Sequence, residues 1–378
     1  MNTIKIRPLE PADMVKMRHL VRTRHDLDDQ GAQRRTQLMD WIAFNNPFAN
    51  GETTYFVAEE DANLVAYLGR MPTEFIVGGK IQRAYFIHDL YVHKEYRKKG
   101  MGLFLSMALS EALEKDSKSF ICGVWTSPFT LLMQKRRGYY SFDADKYVKF
   151  INPYPQLKKY ITSEPLLKIA SLAYRALIST VDCLLLMRTS SDIQISRVHR
   201  FDNTFDNLVK DLIPKLGISV FKTSAYLNWK FLDRPYSQSV VFMAQKKNRL
   251  LGFLILDITN EDGYPRGVIA DITADPTDTK TINALLKTGI RYLRKAKVYS
   301  IDTCFTDEAL IRAIKRFLFL TTSYKKEPVT LGNLQKCQTR NYITNINNWN
   351  LTYSASDGLM LMDQISQSLH SQDQIIGG

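Results

Sequence analysis

One stretch of the sequence combines glycines, basic side chains and a histidine in a pattern that could bind an anion. It runs from His88 to Gly102 and reads HDLYVHKEYRKKGMG. Its β-branched and aromatic residues predict a strand that ends at Val92, and good helix formers predict a helix from about Leu103. Glycine lets the main chain approach a ligand, and the first turn of a helix presents unpaired N–H groups to a phosphate. Because Arg97 to Lys99 add positive charge, the sequence predicts an anion-binding loop here.

The glycine spacing excludes two known kinds of nucleotide-binding loop and matches a third. The stretch has neither a GxxxxGK[ST] run nor the third glycine of GxGxxG. It has RxxGxG, formed by Arg97, Gly100 and Gly102, with Tyr96 directly before it. With a strand before the loop and a helix after it, the sequence resembles the GNAT superfamily of acyl-CoA-dependent N-acyltransferases. The pyrophosphate loop of that superfamily carries [RQ]xxGx[GA] after a strand of the form (L/I)xVxxxYR.

This resemblance implies a donor, a route of transfer and a set of binding residues. The donor would be acetyl-CoA or another acyl-CoA, and an acetyl or other short acyl group would pass directly to a primary amine in a ternary complex. No cysteine nucleophile is then needed. The strand would hold the thioester and pantetheine by its main chain, and the loop amides would hold the pyrophosphate. The donor-binding residues carried over by position are Leu90, Tyr91, Val92, Arg97, Lys98, Lys99, Gly100, Met101 and Gly102.

An attacking amine must lose a proton, so the reaction needs a base. His88 is the candidate, because histidine ordinarily titrates at about pH 6.5. It also lies nine residues before Arg97, the offset of a catalytic histidine in the arylalkylamine N-acetyltransferases. A hydrogen-bonded structural histidine is the alternative. Asp89 is expected on the opposite face of the strand, in a structural role.

The acid that protonates the leaving thiolate has no clear candidate. Many superfamily members place a tyrosine four residues before the glycine of a closing helix-turn motif. Here that glycine is Gly138, and the corresponding position holds Gln134. Tyr139 or Tyr140 could act instead, or a water molecule; core packing is the alternative role for both tyrosines.

Composition and charge limit the class of protein. The chain has 378 residues, of which 45% are hydrophobic and 24% charged, as expected for a folded protein of two domains. Its net charge of +13 favours a polyanionic partner. No nucleic-acid-binding motif is recognisable, so the expected partners are an acyl-CoA and a small amine, without nucleic acid. Four scattered cysteines predict no metal site, and the lack of an apolar leader predicts a cytoplasmic protein.

Two halves of the chain share a pattern. Trp41 and Trp229 each precede a proline by six residues, and each is followed by a predicted hairpin, a third strand, a helix, a strand and a second helix. The sequence therefore predicts an α/β protein of two GNAT-like modules, each a mixed sheet with flanking helices. The predicted domains are a catalytic one at residues 1–153 and a degenerate one at residues 197–355.

The second half differs from the first where the cofactor loop should be. TKTINA (279–284) stands opposite that loop and has no glycine, and Ala270 stands opposite His88. We therefore expect the second half not to bind CoA in the same way. It could instead complete the acceptor cleft or form a pseudo-dimer interface. Residues 356–378 are predicted to be a polar tail.

A helical linker is predicted at residues 154–196. Its apolar tract, Pro165 to Met187, is interrupted at seven-residue spacing by Lys168, Arg175 and Asp182. This pattern predicts an amphipathic helix and not a membrane span. Such a helix packs between domains or, alternatively, lies on a membrane surface as a peripheral contact.

The acceptor is indicated by one short pattern. WxxxxNP, from Trp41 to Pro47, lies ahead of the GNAT motif and resembles acyltransferases of bacterial surface-polysaccharide synthesis. We therefore expect an amino sugar as acceptor; a tryptophan that seals the core is the alternative role for Trp41. The alternative function is a non-catalytic CoA-binding sensor or scaffold, indicated by Gln134 and by the degenerate second half.

Overall fold

The computed structural model describes residues 4–98, 101–187, 192–261, 263–337 and 339–355. Within these residues thirteen strands form one mixed sheet with helices packed against it, so the fold is mixed α/β as predicted. The strands are β1 (Lys5–Pro8), β2 (Tyr55–Glu60), β3 (Asn63–Val77), β4 (Lys80–Val92), β5 (Ile121–Val124), β6 (Tyr140–Phe150), β7 (Gln194–Val198), β8 (Ser219–Val220), β9 (Val240–Lys246), β10 (Arg249–Glu261), β11 (Tyr264–Ala274), β12 (Ser300–Cys304) and β13 (Leu320–Gly332).

The helices connect these strands. They are α1 (Met14–His25), α2 (Asp29–Phe44), α3 (Lys94–Lys98), α4 (Gly102–Asp116), α5 (Pro128–Arg136), α6 (Tyr154–Leu157), α7 (Glu164–Met187), α8 (Asn203–Leu212), α9 (Ser224–Leu227), α10 (Thr279–Lys295), α11 (Glu308–Arg316) and α12 (Arg340–Ile343). Of these, α4, α5, α10 and α11 follow the predicted pattern. The helix predicted from about Leu103 is confirmed as α4, and the helix predicted after the third strand of the second half is confirmed as α10. In α4, Leu105, Leu109 and Leu113 recur at helical spacing and are fully buried, which fixes the face that packs on the sheet.

The two halves of the chain exchange their last strands. Along the sheet the order is β1-β2-β3-β4-β5-β13-β6-β12-β11-β10-β9-β7, and β8 pairs with β3. Thus β13, from the second half, pairs with β5 of the first, while β6, from the first half, pairs with β12 of the second. Since β6 and β13 also pair with each other, neither half completes its sheet without the other.

The succession of elements supports the predicted internal repeat. Apart from the short α3, which has no counterpart in the second half, the run β2-β3-β4-α4-β5-α5-β6 has the same order as β9-β10-β11-α10-β12-α11-β13. Domain bounds at residues 1–153 and 197–355 stay predictions. The linker bounds, 154–196, also stay a prediction; the structure has α6 and α7 in this range, and β7 begins at Gln194. The predicted tail, 356–378, lies outside the described residues.

A buried ion pair anchors α7 to the sheet. Lys149 of β6 donates from its Nζ to Asp182 Oδ1 at 2.8 Å, and the two side chains are 1% and 2% exposed. Arg294 of α10 also pairs with Asp182, and Lys149 donates a second hydrogen bond to the carbonyl of Phe317. Burial lowers the pKa of Lys149, which Asp182 opposes. One side of α7 is therefore held on β6 and α10. In the part of the chain that the structure describes, α7 and the other helices are too short or too polar to span a bilayer.

The ion pair predicts a large loss of stability when its acid is removed. Asp182→Ala leaves the buried amine of Lys149 without its carboxylate, so we expect the free energy of unfolding to fall by about 3 kcal/mol. Denaturant unfolding measures this change. Glu164→Ala is the matched control, because Glu164 pairs with Lys168 on an exposed turn of the same helix and its loss should cost about 0.5 kcal/mol. Equal small losses in the two variants would contradict the anchoring role.

Candidate active site

Strands β4 and β5 are parallel neighbours that pair over a short length and then separate. Tyr85 pairs with Ile121, and Phe86 pairs with Cys122. Beyond Phe86, β4 continues to Val92 beside β3, and among the described strands β3 is its sole partner over this last segment. The main chain on the other edge of β4 is thus open to a ligand. An open cleft of about 480 Å³ lies there.

Three elements line the cleft: the end of β4, the beginning of α4 and the beginning of α5. The lining residues are Leu90, Tyr91, Val92, Arg97, Gly102, Leu103, Ser106, Ser127, Phe129 and Thr130. Five of the nine residues predicted to bind the donor are among them. Lys98 ends α3 and Met101 precedes α4, and neither is among the lining residues. Lys99 and Gly100 lie outside the described residues.

The first turn of α4 has no side-chain cap. Met101 is the N-cap residue, and its side chain makes no capping hydrogen bond. The first N–H groups of a helix have no acceptor within the helix, and they carry the positive end of its dipole. Arg97 lies against this turn, with its Cγ 3.0 Å from where a Cβ on Gly102 would be. This end of the cleft therefore combines unpaired N–H groups with a guanidinium, an arrangement that suits a diphosphate.

The opposite wall of the cleft was missed by the sequence analysis. Ser127 is the N-cap of α5: its Oγ accepts a hydrogen bond from the Thr130 N–H at 3.3 Å, and Pro128 occupies the first turn. Phe129 follows with 55% of its surface exposed. A serine followed by proline after a short predicted strand is a helix-start signal. That signal could have placed this helix start beside the cofactor loop.

A β-bulge lies in β4 next to the cleft. Gly69 pairs with His88 and Tyr67 with Tyr91, so one residue of β3 stands opposite both Asp89 and Leu90. Asp89 adopts the left-handed conformation, with φ of 55°, which aspartate tolerates better than most residues. The extra residue breaks the alternation of side chains. The prediction that Asp89 and His88 face opposite sides is therefore wrong: both lie on the side of α1 and α2.

The Asp89 carboxylate joins the bulge to two helices. It is 1% exposed, it pairs with Arg24 of α1, and it lies 3.5 Å from Arg35 of α2. Arg24 also donates to the Tyr67 hydroxyl at 2.6 Å, and its guanidinium lies 5.4 Å from the ring centre of Tyr91. Burial raises the pKa of Asp89, but the two arginines outweigh it and hold this pKa below its ordinary value. The ionised carboxylate supports Tyr91, a wall of the cleft, from behind.

His88 is packed in the sheet. It is 6% exposed, and the centre of its ring lies 5.1 Å from that of Tyr55. A Cβ on Gly69, its cross-strand neighbour, would collide with the imidazole. The ring thus fills space that glycine leaves free. His88 is not among the residues that line the cleft, and its role as base stays a prediction.

The structure does not bring the other candidate side chains to the cleft. The Tyr139 hydroxyl donates to Glu114 at 2.8 Å, and burial raises its pKa well above the ordinary value, which favours packing over an acid role. Gln134 is 4% exposed, and neither of its amide atoms has a hydrogen-bond partner among the described residues. Burial also raises the pKa of the Cys122 thiol. Cys122 is therefore a core residue and not a nucleophile.

The second half replaces the uncapped helix start with a capped one. Asp278 is the N-cap of α10, and its carboxylate accepts from the Thr281 N–H at 3.1 Å and from the Thr281 hydroxyl at 2.6 Å. The chain's own carboxylate thus accepts from an N–H group at the start of α10, whereas the start of α4 has no such cap. A bound diphosphate would meet a negative charge at the start of α10. This cap supports the expectation that the second half does not bind CoA in the same way.

The Asp89 network predicts a stability effect that depends on pH. Asp89→Asn keeps the side-chain shape and tolerates the positive φ, but leaves two arginines without their anion, so we expect a loss of about 2 kcal/mol at pH 7. Because the folded-state pKa is lowered, this contribution is complete above about pH 5 and shrinks as the pH falls below about 4. Denaturant unfolding across pH tests it. Asp26→Asn, exposed and also at positive φ, should change stability by less than about 0.5 kcal/mol at any pH. A pH-independent difference between wild type and Asp89→Asn would contradict the account.

Comparison with known proteins agrees with this geometry. Residues 18–128 match the Acetyltransferase (GNAT) family, a range that includes β4, α4 and Ser127. No curated protein matches the chain. Three solved structures, each at most 13% identical in sequence, share its fold.

A GCN5-related N-acetyltransferase from Anabaena variabilis has a TM-score of 0.58 at 10% identity, over 87% of this chain and 72% of that one. A probable N-acyltransferase from Enterococcus faecalis has a TM-score of 0.57 at 13% identity, over 88% and 72%. Saccharomyces cerevisiae N-myristoyltransferase with bound myristoyl-CoA has a TM-score of 0.55 at 10% identity, over 88% and 82%. The chain thus carries a GNAT acetyltransferase domain in residues 18–128, and it is an acyltransferase that uses acetyl-CoA or another acyl-CoA.

Proposed function

We propose that the protein transfers an acetyl or other short acyl group from acyl-CoA to a primary amine, by direct attack in a ternary complex. The reaction takes place in the cleft where β4 and β5 separate. The observation that carries this proposal is the lining of that cleft. It unites the open edge of β4, the uncapped start of α4 and Arg97, which are the parts that the cofactor of this family requires.

Each part of the cleft has a task in this proposal. The main chain from Leu90 to Val92 offers N–H and C=O groups to the thioester and the amide-containing pantetheine arm, much as a further strand would. The N–H groups at Gly102 and the guanidinium of Arg97 bind the pyrophosphate. Phe129, on the facing helix, supplies apolar contact and limits access of water to the thioester.

Direct attack is supported by the placement of the cysteines. The one on the strand next to the cleft, Cys122, is fully buried, and none of the four lines the cleft. In this proposal the amine attacks the thioester itself, and its proton must leave. His88 takes that proton in this proposal, because it lies on β4 beside the bulge. Its packing against Gly69 is the competing, structural role.

The acceptor proposal rests on the WxxxxNP pattern. Trp41 donates from Nε1 to the main-chain oxygen of Trp229 at 3.0 Å. This hydrogen bond joins the two halves and supports the alternative role of Trp41, sealing the core. The amino-sugar acceptor is therefore inferred from the pattern only by analogy. We therefore propose a primary amine as acceptor, with amino sugars as the first class to assay.

A negative charge at the start of α4 should abolish donor binding. Gly102→Glu places a carboxylate beside the proposed pyrophosphate position, so we expect the Kd for acetyl-CoA to rise by at least about 100-fold. Isothermal titration calorimetry measures this. Met107→Glu is the control, because Met107 is exposed on the same helix but outside the cleft lining; its Kd should stay within about threefold of wild type, since exposed charges are screened. Unchanged affinity in Gly102→Glu would refute the donor site.

His88 is tested by separating binding from turnover. If His88 removes the proton, His88→Gln lowers kcat by at least about 100-fold, leaves the Kd for acetyl-CoA unchanged and abolishes the acid limb of the pH–rate profile. A thiol-release assay with an amine panel gives kcat, and calorimetry gives Kd. His19→Gln, exposed on α1, should behave as wild type. Full activity in His88→Gln would show that the histidine is not the base and has only a packing role.

A further inference from the structure

We infer that α7 lies in the plane of an anionic lipid surface and holds the protein there. This inference concerns a surface that the donor site does not use, and it stands apart from the proposed acceptor.

One side of α7 faces the protein. Leu167, Ser171, Ile178 and Asp182 recur at helical spacing and are each 8% exposed or less. Asp182 carries the buried ion pair with Lys149, and the Tyr174 hydroxyl donates to the main chain of β6 at Phe150. These contacts fix the rotation of the helix, so its opposite side has a defined direction away from the core.

That opposite side is apolar and exposed. It carries six large side chains, each between 55% and 65% exposed: Leu166, Ile169, Leu172, Leu177, Leu184 and Met187. The exposed small residues Ala173 and Ala176 lie between them. A helix of 24 residues is about 36 Å long, so the apolar side is a long stripe and not a scatter of single residues. Contiguous apolar surface of this kind marks an interaction site.

The charges around the stripe select lipid as the occupant. Lys168 and Arg175 are exposed along one border of the stripe, and Lys158 and Lys159 are exposed just before the helix. Of the two acids in α7, Glu164 pairs with Lys168 and Asp182 is buried. An apolar face bordered by basic residues is the pattern of a helix at a bilayer interface, where the basic groups bind anionic head groups.

The same residues prevent α7 from crossing the bilayer. Three charged side chains interrupt it, one of them fixed in a buried ion pair with β6. The helix would therefore lie along the membrane with its apolar side in the region between head groups and acyl chains. The net charge of +13 adds a general attraction to an anionic surface.

Vesicle flotation of the full-length chain tests the proposal. We expect binding to vesicles of phosphatidylcholine mixed with phosphatidylglycerol, weaker binding to phosphatidylcholine alone, and weakening by salt. Ile169→Gln combined with Leu177→Gln should lower partitioning by at least about tenfold. Both residues are exposed, so the fold should survive, which circular dichroism verifies. Val15→Gln, with the same kind of change at an 81% exposed position on α1, should bind as wild type. Equal binding by the double variant and wild type would overturn the proposal.

A second readout reports the orientation of the helix directly. Cys183 is exposed on α7, whereas Cys122 and Cys304 are buried. In a Cys337→Ser background, a polarity-sensitive dye on Cys183 should shift its emission to the blue when anionic vesicles are added, and an unchanged spectrum would count against the proposal. Light scattering without lipid tests the alternative that a second copy of the protein occupies the stripe. If the wild type is a dimer that the double variant converts to a monomer, the stripe is a protein interface and the inference is wrong.

Discussion

The short pairing between β4 and β5 is the constraint on which the site depends. Two parallel strands that pair at Tyr85 and Phe86 and then separate leave one edge of β4 without a strand partner in the described structure. The bulge at Asp89 bends β4 in this segment, since an extra residue increases local twist. Arg24 and Arg35 hold the bulge through the ionised Asp89 carboxylate. A charge on the far side of the sheet thus maintains the shape of the cleft.

The two halves differ in how the helix after their third strand is capped. Both have a third strand that leads into a helix, α4 in the first half and α10 in the second. The start of α4 has no side-chain cap, and its first N–H groups favour a negative charge there. The start of α10 is capped by Asp278, so the chain supplies that charge itself. The second half contributes β13, which pairs with β5 on the side away from β4.

Features set by local sequence could be predicted, whereas features set by distant contacts could not. The helices α4 and α10 follow from residue spacing. The anion-binding role of the loop before α4 stays a prediction. The exchange of β6 and β13 depends on pairing between residues almost two hundred positions apart, for which no local pattern exists. Asp89 lies on the side of the sheet opposite to the predicted one, because a bulge shifts the alternation of side chains along β4. The Tyr139 hydroxyl donates a hydrogen bond to Glu114, 25 positions away, and its ring packs in the core.

The cleft wall formed by α5 and the exposed side of α7 show two further limits of prediction from the sequence. Ser127 and Pro128 carried a readable signal, but their distance from the loop could be known only once β5 was seen beside β4. For α7, spacing predicted an amphipathic helix but not which side faces the protein. The buried pair between Asp182 and Lys149 decides that question, because a charge in the core must lie beside its partner.

Amide hydrogen exchange with and without acetyl-CoA tests the central claim most directly. If the cleft between β4 and β5 binds the donor, added acetyl-CoA slows exchange at the first turn of α4, at the start of α5 and at Leu90 to Val92, and leaves residues 279–283 of α10 unchanged. Protection confined to the second half, or no protection at α4 under conditions where the ligand is bound, would contradict the account.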